Sequence, residues 1–357
     1  MEQETNRSSE FTETSDRYQA PSRKIGLKYG IIEVTSRCQL RCPGCYMVRR
    51  DRLNRGQMSF KTAVYILDLC RDYRGGQDLE TMDILGGDPL LWPFLKDYVS
   101  ELLRRGIKPW IFSNLLAISP ESAKWLWERE VNITGKLNIN PQAAGQLDKQ
   151  AEMIGRSPRV AKKMLEAIEI TRLAGYKAPL LRLQNLVRRR NLELIPDYYR
   201  WCLENEVGVD LELMGSGEPI TEEYWRLAPA PEEIAALITK IQAVRAEYGL
   251  PPAEVLMPHL FGSCPFYDAG LYFDVAGGIR ACSNSTVSLG SIFDPRPIAA
   301  AYGSELICRR LKLSKELISA PCNACAKWIK CRGGCRATAE GTTGPFGAYP
   351  LCPVPFL

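Results

Sequence analysis

The stretch "SRCQLRCPGCYMVRR", residues Ser36–Arg50, places three cysteines within eight positions directly after an apolar segment. Their spacing is C-x3-C-x2-C, formed by Cys38, Cys42 and Cys45. A closed zinc site takes four ligands, and no further cysteine or histidine occurs within the next twenty residues. Three thiolates suit a cubane of four irons and four sulfides, because one iron then stays open to a substrate or cofactor.

The composition is that of a globular protein. Of the 357 residues, 45% are hydrophobic and 24% are charged, and this length suits one large unit with a smaller one appended. The net charge of +5 is mild and the basic runs are short, so we expect no nucleic-acid partner. Because no apolar run reaches the length of a membrane helix and no signal-peptide core is found, we expect a cytoplasmic protein with no membrane partner.

Cysteine usage is the most informative feature of the composition. The chain has thirteen cysteines and one histidine. Because thiols stay reduced in the cytosol, clustered cysteines there indicate metal or iron–sulfur ligation and not disulfides. Three cysteines form the first triad, seven lie between Cys264 and Cys352, and three stand apart at Cys70, Cys202 and Cys308.

The middle of the chain alternates short apolar segments with helical patterns, which is typical of consecutive βα units and a parallel sheet. Candidate strands are 30–35, 82–85, 108–112, 136–139, 180–187 and 209–214. Candidate helices are 60–73, 92–105, 120–130, 160–174 and 194–205. The prediction is an α/β fold, a partial (β/α)6 TIM-type barrel followed by a small cysteine-rich module.

The notable motifs each follow a candidate strand, where the functional loops of such a barrel lie. The cysteine triad follows the first strand, "GGDP" (residues 86–89) the second, and Ser113 with Asn114 the third. Three arginines, 188–190, follow the fifth strand. They would bind an acidic substrate or form a solvated surface run, and the sequence leaves both readings open.

Changes in composition suggest four segments. A polar N-terminal tail would cover residues 1–28 and the barrel residues 29–220. Prolines punctuate a helical connector at 221–257, and the segment 258–357 is rich in Gly, Pro and Cys. Such a module would be held by metal more than by an apolar core.

The first motif resembles the signature of the radical S-adenosylmethionine (SAM) enzymes. The resemblance implies that Cys38, Cys42 and Cys45 hold a [4Fe-4S] cluster whose open iron binds S-adenosyl-L-methionine. The family's glycine-rich motif after the second strand is matched by Gly86, Gly87, Asp88 and Pro89.

Other cofactor contacts are implied by position. They are Ser113, Asn114, Asn138 and Asn140 at strand ends, where a polar residue is also an ordinary turn former. The family usually has an aromatic residue before the third cysteine, near the adenine. Here that residue is Gly44, and Tyr46 is expected to compensate.

The C-terminal cysteines resemble the SPASM module of radical SAM enzymes that carry auxiliary clusters. Gly277 stands five positions before Cys282, as in that module. The resemblance implies one auxiliary [4Fe-4S] cluster on Cys322, Cys325, Cys331 and Cys352. It implies a second on Cys264, Cys282 and Cys335, with His259 as candidate fourth ligand or with an open iron. A zinc ribbon is the alternative for the paired spacings.

The resemblance further implies an oxidoreductase that cleaves S-adenosyl-L-methionine to a 5′-deoxyadenosyl radical and abstracts hydrogen from a C–H bond. A peptide or protein residue is the expected substrate, with oxidation, cross-linking or epimerisation as outcome. Cys308 is a candidate hydrogen donor, as are Cys70 and Cys202, although each also suits a small buried apolar position. Ser283 stands where sulfatase maturases have an acidic base, which argues against that activity.

The expected partners follow from the same resemblance. They are a flavodoxin- or ferredoxin-type electron donor and, since few residues precede the first strand, a separate leader-peptide-binding protein. Two other functions stay open. One is an epimerase or dehydrogenase of a small natural product such as an aminosugar or nucleoside, and the other is a non-enzymatic zinc-ribbon binding protein.

Overall fold

A computed structural model describes residues 26–215, 222–253, 256, 257, 260, 264–267 and 269–357. Most of the expected N-terminal tail lies outside the described residues. The candidate ligand His259 also lies outside them.

The core of the fold is one eight-stranded sheet. Its strands are β1 Tyr29–Thr35, β2 Thr81–Gly86, β3 Lys108–Phe112, β4 Asn132–Lys136, β5 Leu181–Val187, β6 Gly208–Leu213, β7 Gly270–Phe273 and β8 Ile279–Arg280. The strand order is β6-β5-β4-β3-β2-β1-β7-β8, and the first six strands are all parallel. This arrangement confirms the predicted α/β class with a six-stranded parallel half-barrel.

Helices lie between the parallel strands along the chain and follow them towards the C-terminus. They are α1 Tyr46–Arg49, α2 Phe60–Tyr73, α3 Leu95–Arg104, α4 Pro120–Trp127, α5 Gln146–Ile154, α6 Pro158–Leu173, α7 Ile195–Glu204, α8 Glu222–Leu227, α9 Pro231–Glu247, α10 Pro297–Tyr302, α11 Glu305–Lys312, α12 Trp328–Cys331 and α13 Arg336–Thr342. Short 3-10 helices occupy Pro89–Leu91, Arg189–Leu194, Cys322–Ala324 and Val354–Phe356. Within the described residues, no helix is long and apolar enough to cross a membrane.

Alternation along the strands separates a helix-facing core from a polar inner face. On β1, Ile32 and Val34 belong to the main apolar core, whereas Glu33 points to the opposite face and is fully buried. On β3 and β4 the inner face is polar as well, since the indole Nε1 of Trp110 donates to Thr134 Oγ1 at 2.7 Å. The inner face therefore carries polar side chains such as Glu33 and Thr134 beside an apolar group that contains Tyr29 and Ile31.

The predicted fourth strand was wrong by four residues. It was placed at 136–139, whereas β4 runs over Asn132–Lys136. The strand was misplaced because its inner face carries Asn132 and Thr134 and its fourth residue is Gly135. A Cβ at Gly135 would lie 2.8 Å from a side-chain atom of Leu115, so close packing explains the glycine.

The cysteine-rich region is joined to the barrel more closely than its composition indicates. Strand β7 pairs in parallel with β1, and β8 pairs antiparallel with β7. Phe273 and Ile279 are fully buried in the main core, and the Tyr272 hydroxyl donates to Glu33 of β1. The expectation that metal, more than an apolar core, would hold this region is therefore wrong for its first part, which shares the sheet and its core.

Candidate functional site

The three cysteines of the first motif lie together in the loop after β1. Each is half-buried, and the thiols of Cys42 and Cys45 lie close enough to Cys38 to influence its charge. Burial is the main cause that raises the pKa of Cys38 to about 12. The structure thus gathers the triad into one half-buried group, with α1 beginning directly after Cys45.

Two elements far apart in sequence fix the backbone of this loop. The amide of Cys38 donates to Asn54 Oδ1 at 3.1 Å. On the other side, the end of α5 contacts the loop: the amide of Arg41 donates to Ile154 O at 3.1 Å, and Arg156 Nε donates to Gln39 O at 2.6 Å. The role of α5 was missed, although the glycine and arginine that follow it were visible in the sequence as a helix end.

The "GGDP" loop lies directly against the start of the cysteine loop. The amide of Gly87 donates to Thr35 O at 2.7 Å, and the amide of Asp88 donates to Arg37 O at 2.8 Å. A Cβ at Gly86 would stand 2.1 Å from Thr35 O, and its φ is +143°. Only glycine fits this approach, so these residues hold the two loops together whether or not they also contact a cofactor.

Asp88, Ser113 and Asn114 connect the ends of β2 and β3 to the cysteine loop. The Ser113 hydroxyl donates to Asp88 Oδ1 at 2.6 Å, and Asp88 is fully buried. Burial raises the pKa of Asp88. Asn114 Nδ2 lies 3.6 Å from Cys38 Sγ and 3.0 Å from Gln39 Oε1, so the sulfur has a side-chain donor.

The other polar candidates on the fourth strand lie in the turn after β4. Asn138 donates through its backbone amide and its Nδ2 to Gln150 Oε1. Asn140 Oδ1 accepts from the amide of Gln142 at 2.9 Å. Elsewhere, after β2, Pro89 begins a short 3-10 helix. The Asn140 contact is that of a turn former, the alternative that the sequence left open. Asn138 instead contacts Gln150 of α5, and its buried Oδ1 has no hydrogen-bond partner among the described residues.

The residues around the third cysteine explain why glycine precedes it. Gly44 has φ +77°, and a Cβ there would lie 3.3 Å from Met214 Sδ. The Tyr46 hydroxyl is buried without a hydrogen-bond partner among the described residues. The Arg50 guanidinium lies 5.7 Å from the centre of the Tyr46 ring. One face of the Tyr46 ring is thus covered by Arg50.

Arg50 links the first motif to the cysteine-rich region, a contact that the sequence did not reveal. Its Nη1 lies 3.3 Å from Ser283 O and its Nη2 lies 3.4 Å from Asn284 O. These two residues directly follow Cys282. One arginine therefore connects the helix after the triad with the loop of a second cysteine group.

The second group consists of Cys264, Cys282 and Cys335. Burial raises the pKa of Cys264, and the thiols of Cys282 and Cys335 add to this effect, so the three lie together. Thr338 Oγ1 donates to Cys335 Sγ at 3.3 Å. The nearby guanidinium of Arg310 is almost fully buried.

The third group surrounds a cavity. Cys322, Cys325, Cys331 and Cys352 all line it, together with Trp328 and Tyr349 among others. The pKa of Cys352 is raised to about 11, mainly by burial and further by the other three thiols. The structure therefore separates the seven C-terminal cysteines into the interleaved sets of three and four that the SPASM resemblance implied.

The donor geometry bears on which metal group would fit. Within the described residues, no three His, Cys, Asp or Glu side chains converge closely enough to hold a single metal ion. A tetrahedral zinc draws its thiolates within about 2.3 Å of one centre, whereas a cubane spreads them over separate irons. Thiolates are donors for both kinds of site, so the cysteine groups fit a polynuclear cluster, and a zinc ribbon stays the alternative for the C-terminal cysteines.

The remaining cysteines belong to none of these groups. Cys70 and Cys202 are fully buried in the main apolar core, as expected for small apolar residues. Cys308 lies on α11, and its thiol donates to Tyr302 O at 3.8 Å. The contact of Cys308 is thus with the neighbouring helix α10.

The arginine run after β5 is divided. Arg189 and Arg190 are exposed and form ion pairs with Glu233 and Glu152. Arg188 is 2% exposed and points inward. Two of the three arginines therefore form a solvated surface, and one belongs to the inner face of the barrel.

Comparison with known families adds an independent finding. Residues 32–202 match the model of the Radical SAM superfamily. A curated relative from Pyrococcus furiosus, the "Tungsten-containing aldehyde ferredoxin oxidoreductase cofactor-modifying protein", is 27% identical over 199 residues. That alignment covers 55% of this chain and 53% of the relative, so the chain spans about half the length of the curated protein that it matches.

Solved structures share the fold over nearly the whole chain. Native anSMEcpe with bound AdoMet and Cp18Cys peptide superposes with a TM-score of 0.69 at 13% identity, covering 90% of this chain and 92% of that one. Streptococcus suis SuiB bound to precursor peptide SuiA gives a TM-score of 0.69 at 15% identity, covering 91% and 75%. At such identities the likeness concerns the fold.

Proposed function

Because this chain carries a domain of the radical SAM superfamily, we propose that it is an oxidoreductase that cleaves S-adenosyl-L-methionine reductively and abstracts hydrogen from a substrate C–H bond. Bound at the first motif, a [4Fe-4S] cluster would supply the electron that turns the cofactor into methionine and a 5′-deoxyadenosyl radical. The remaining task of the protein is to hold the cofactor and the substrate in contact and to exclude water.

One observation carries this proposal: the half-buried group of Cys38, Cys42 and Cys45 has three thiols and, among the described residues, no fourth. The Asn114 donor supports the first sulfur, and the "GGDP" loop braces the motif from β2. We propose Gly86, Gly87, Asp88 and Pro89 as the edge of the cofactor site. The assignments of Tyr46, Asn138 and Asn140 to that site stay predictions.

We assign the other two cysteine groups to auxiliary [4Fe-4S] clusters. Cys322, Cys325, Cys331 and Cys352 supply a full set of four ligands, and their shared cavity supports the assignment. Cys264, Cys282 and Cys335 supply three, so that cluster would need His259 or another fourth ligand. In this proposal the auxiliary clusters accept the electron that the substrate radical loses.

A residue of a peptide or protein is the favoured substrate. Two structures with this fold are complexes with peptides, Cp18Cys on anSMEcpe and SuiA on Streptococcus suis SuiB. The polar inner face of the half-barrel suits such a backbone, which brings its own hydrogen-bonding groups. Oxidation, cross-linking and epimerisation are all compatible with this arrangement, with Cys308 kept as a candidate hydrogen donor for the last.

A second candidate is an epimerase or dehydrogenase of a small natural product. The name of the Pyrococcus furiosus relative describes modification of a cofactor, and the alignment with that relative covers 55% of this chain. A small substrate would contact fewer residues of the inner face of the half-barrel than a peptide would. Analysis of the products formed by the two candidate classes would separate these alternatives.

The proposed context is a reduced compartment, the cytoplasm, with a flavodoxin- or ferredoxin-type electron donor. We further propose a separate leader-peptide-binding protein as a partner for a precursor-peptide substrate. The division into a barrel at 29–220, a connector at 221–257 and a SPASM module at 258–357 is part of the same proposal.

The decisive experiment is anaerobic purification and reconstitution, with iron, acid-labile sulfide and zinc measured on the same sample. We expect iron and sulfide in equal amounts and formation of 5′-deoxyadenosine after reduction with dithionite in the presence of S-adenosyl-L-methionine. Zinc without sulfide, or reduced and loaded protein that leaves the cofactor intact, would overturn the proposal. Deuterium transfer from a labelled substrate into 5′-deoxyadenosine would then identify the attacked carbon.

A further inference from the structure

The single turn of helix α12 separates the four-cysteine cavity from the protein surface. Trp328 and Cys331, the two ends of that turn, lie three residues apart and therefore on the same side of the helix. Both line the cavity of the four-cysteine group. Ile329 and Lys330, which lie between them, are exposed. The turn thus has one face towards the cysteines and one face towards solvent.

Ile329 is the most exposed of the large hydrophobic residues in the described part of the chain, at 86%. A side chain that stays in water adds nothing to the apolar core, so folding does not require an isoleucine at this position. Lys327, directly before the turn, and Lys330 are exposed beside it. An apolar centre with charged residues around it is the usual anatomy of a protein–protein interface.

The net charge of this region is strongly positive. Residues 295–357 contain nine Lys and Arg, three Glu and no Asp, which gives a net charge of +6. The remaining residues contain 37 Lys and Arg and 38 Asp and Glu, which gives a net charge of −1. The excess positive charge of the chain is therefore concentrated in the cysteine-rich region.

Two of the three glutamates of this region already have partners within it. A carboxylate oxygen of Glu305 lies 2.9 Å from a guanidinium nitrogen of Arg309, and one of Glu340 lies 2.7 Å from Arg310. Between positions 317 and 339 the sequence has no acidic residue. The segment around α12 therefore contributes no negative charge to its own surface.

Three cations flank Ile329 within six consecutive residues. Lys327 also lines the cysteine cavity, and Lys330 belongs to the turn itself. Arg332 follows the turn, and its guanidinium lies 5.8 Å from the centre of the Trp328 ring. Such a field attracts a partner with an acidic surface. The exposed isoleucine favours a protein over a nucleic acid, because a phosphate backbone offers no apolar surface to cover it.

A partner seated here would lie close to the four cysteines. An α-helix with its side chains is about 10–12 Å wide, so the outer face of α12 is about 10 Å from the cavity on its inner face. Electrons pass between protein-bound centres over separations of this size. The position therefore suits a partner that exchanges electrons with a group held in that cavity.

We propose that Lys327, Ile329, Lys330 and Arg332, here called the α12 surface, dock a small one-electron carrier protein with an acidic face. The assignment rests on the proposed function, in which the auxiliary clusters accept one electron from each substrate radical. The oxidised carrier takes up that electron at the four-cysteine group. The carrier is reduced by one electron, the cluster there is oxidised by one electron, and no bond forms or breaks.

The test measures binding of oxidised flavodoxin, an acidic one-electron carrier, to the reconstituted protein by biolayer interferometry at low ionic strength. Cytochrome c, a small basic one-electron carrier, is the comparison probe. The variants are Ile329→Ser and the double variant Lys327→Glu/Lys330→Glu. Iron content and circular dichroism show which variants are folded and loaded.

Helix α6 offers matched controls for both variants. Leu173→Ser replaces an apolar residue that is 78% exposed, as Ile329→Ser does on α12. The double variant Lys162→Glu/Lys163→Glu reverses two exposed lysines and changes the net charge by the same amount as the double variant on α12.

We expect flavodoxin to bind, cytochrome c not to bind, and the affinity for flavodoxin to fall as salt is added. The double variant on α12 should weaken flavodoxin binding at least tenfold and Ile329→Ser at least threefold. Both α6 controls should stay within twofold of the wild type. Reduction of the flavin by pre-reduced protein, followed by its semiquinone absorbance at sub-saturating flavodoxin, should slow by the same factors.

Four results would overturn the inference. The first is absence of saturable flavodoxin binding to the wild-type protein. The second is equal weakening by the double variants on α12 and α6, which would show that only the total charge matters. The third is an unchanged rate of flavin reduction in variants that bind flavodoxin weakly. The fourth is tighter binding of a single-stranded DNA oligonucleotide than of flavodoxin, which would assign the cations to a nucleic acid.

These outcomes are separate from failure of the proposed function. If wild-type protein with intact clusters does not cleave S-adenosyl-L-methionine, the function fails whatever flavodoxin does. If cleavage occurs and the variants on α12 bind flavodoxin as the wild type does, only the docking surface is wrong.

Discussion

Asn114 Nδ2 lies 3.6 Å from Cys38 Sγ, so a side chain from the end of β3 donates to a sulfur of the first motif. The backbone amide of Leu40 lies 3.4 Å from the same sulfur. Hydrogen bonds to ligand sulfurs stabilise the added negative charge of a reduced cluster and thereby raise its potential. Asn114 is thus placed to tune the first cluster.

Replacement of Asn114 should therefore lower the reduction potential of that cluster. We expect two variants, Asn114→Leu and Asn114→Asp, to shift the midpoint potential by tens of millivolts to more negative values. Asn114→Asp retains the acceptor for the Leu116 amide. The measurement is a redox titration followed by electron paramagnetic resonance. Asn205→Leu, which removes a hydrogen bond to Trp201 O at the end of α7, is the control. Equal potentials in the wild type and both Asn114 variants would refute the role.

Gly86→Ala should dislodge the "GGDP" loop from the cysteine loop. The added Cβ would meet Thr35 O at 2.1 Å, and the φ of +143° disfavours any side chain. We expect a loss of about 2–4 kcal/mol of stability, combining backbone strain with the clash. Thermal unfolding of the loaded protein checks the loss.

The control for Gly86→Ala is Gly56→Ala. Nothing lies within 4 Å of a Cβ at Gly56, so its melting temperature should hardly change. Gly87→Ala separates the clash from the strain, because its Cβ would stand 2.2 Å from Arg37 O without a positive φ. Similar melting temperatures for Gly86→Ala and Gly56→Ala would show that the approach of the two loops is looser than described.

Local patterns sufficed to predict the parallel half-barrel, since five of the six strands were found from apolar runs. The grouping of the C-terminal cysteines was implied by the resemblance to the SPASM module and not by their spacing alone. Strand β4 was misplaced because its inner face is polar, and a criterion based on apolar runs does not detect such a strand. The difference in burial among residues 188–190 was not predicted either, because the burial of Arg188 depends on the direction of its side chain after β5 and not on composition.

Contacts between distant segments were beyond reach of the sequence. The Arg50 contacts with Ser283 and Asn284 join residues more than 230 positions apart. The pairing of β7 with β1 likewise joins residues 241 positions apart, as between Tyr29 and Gly270. Gly44 is an intermediate case, because its positive φ is a local property whereas its packing on Met214 is not.

Cys331→Ala should separate cofactor cleavage from product formation. We expect the variant to lose roughly four irons per chain and to retain uncoupled cleavage of S-adenosyl-L-methionine, because the first motif is untouched. Cys42→Ala should abolish cleavage. The measurements are iron content, 5′-deoxyadenosine and product.

Cys70→Ala is the matched control for these variants. Cys70 is fully buried in the apolar core, so its replacement should cost about 1–2 kcal/mol of stability and leave the iron content unchanged. If Cys42→Ala and Cys331→Ala behaved alike in folded protein, the proposed division of labour between the cysteine groups would be wrong.

Glu101 should give the protein a stability that is lost in acid. Its carboxylate accepts from Arg104 Nε and Nη2 and from Arg105 Nε, each at 2.7 Å. The hydrogen bonds from Arg104, followed by those from Arg105, lower the pKa of Glu101 to about 2. A lowered pKa in the folded state means that the contribution is complete above the unfolded value of about 4.3 and disappears as the pH falls towards 2.

Glu101→Gln should therefore lower stability by about 1–2 kcal/mol at pH 7, a figure reduced for the partial exposure of the group. At pH 2, where the Glu101 carboxyl is already about half protonated, the difference should fall below about 0.5 kcal/mol. Chemical unfolding at both pH values measures the difference. Glu128→Gln is the control, because the Glu128 carboxylate lies only within 3.9–4.0 Å of Arg129 and Lys124 on the surface and should contribute less than about 0.5 kcal/mol. A difference between Glu101→Gln and the wild type that stays constant from pH 7 to pH 2 would show that the side chain acts through packing and not through its charge.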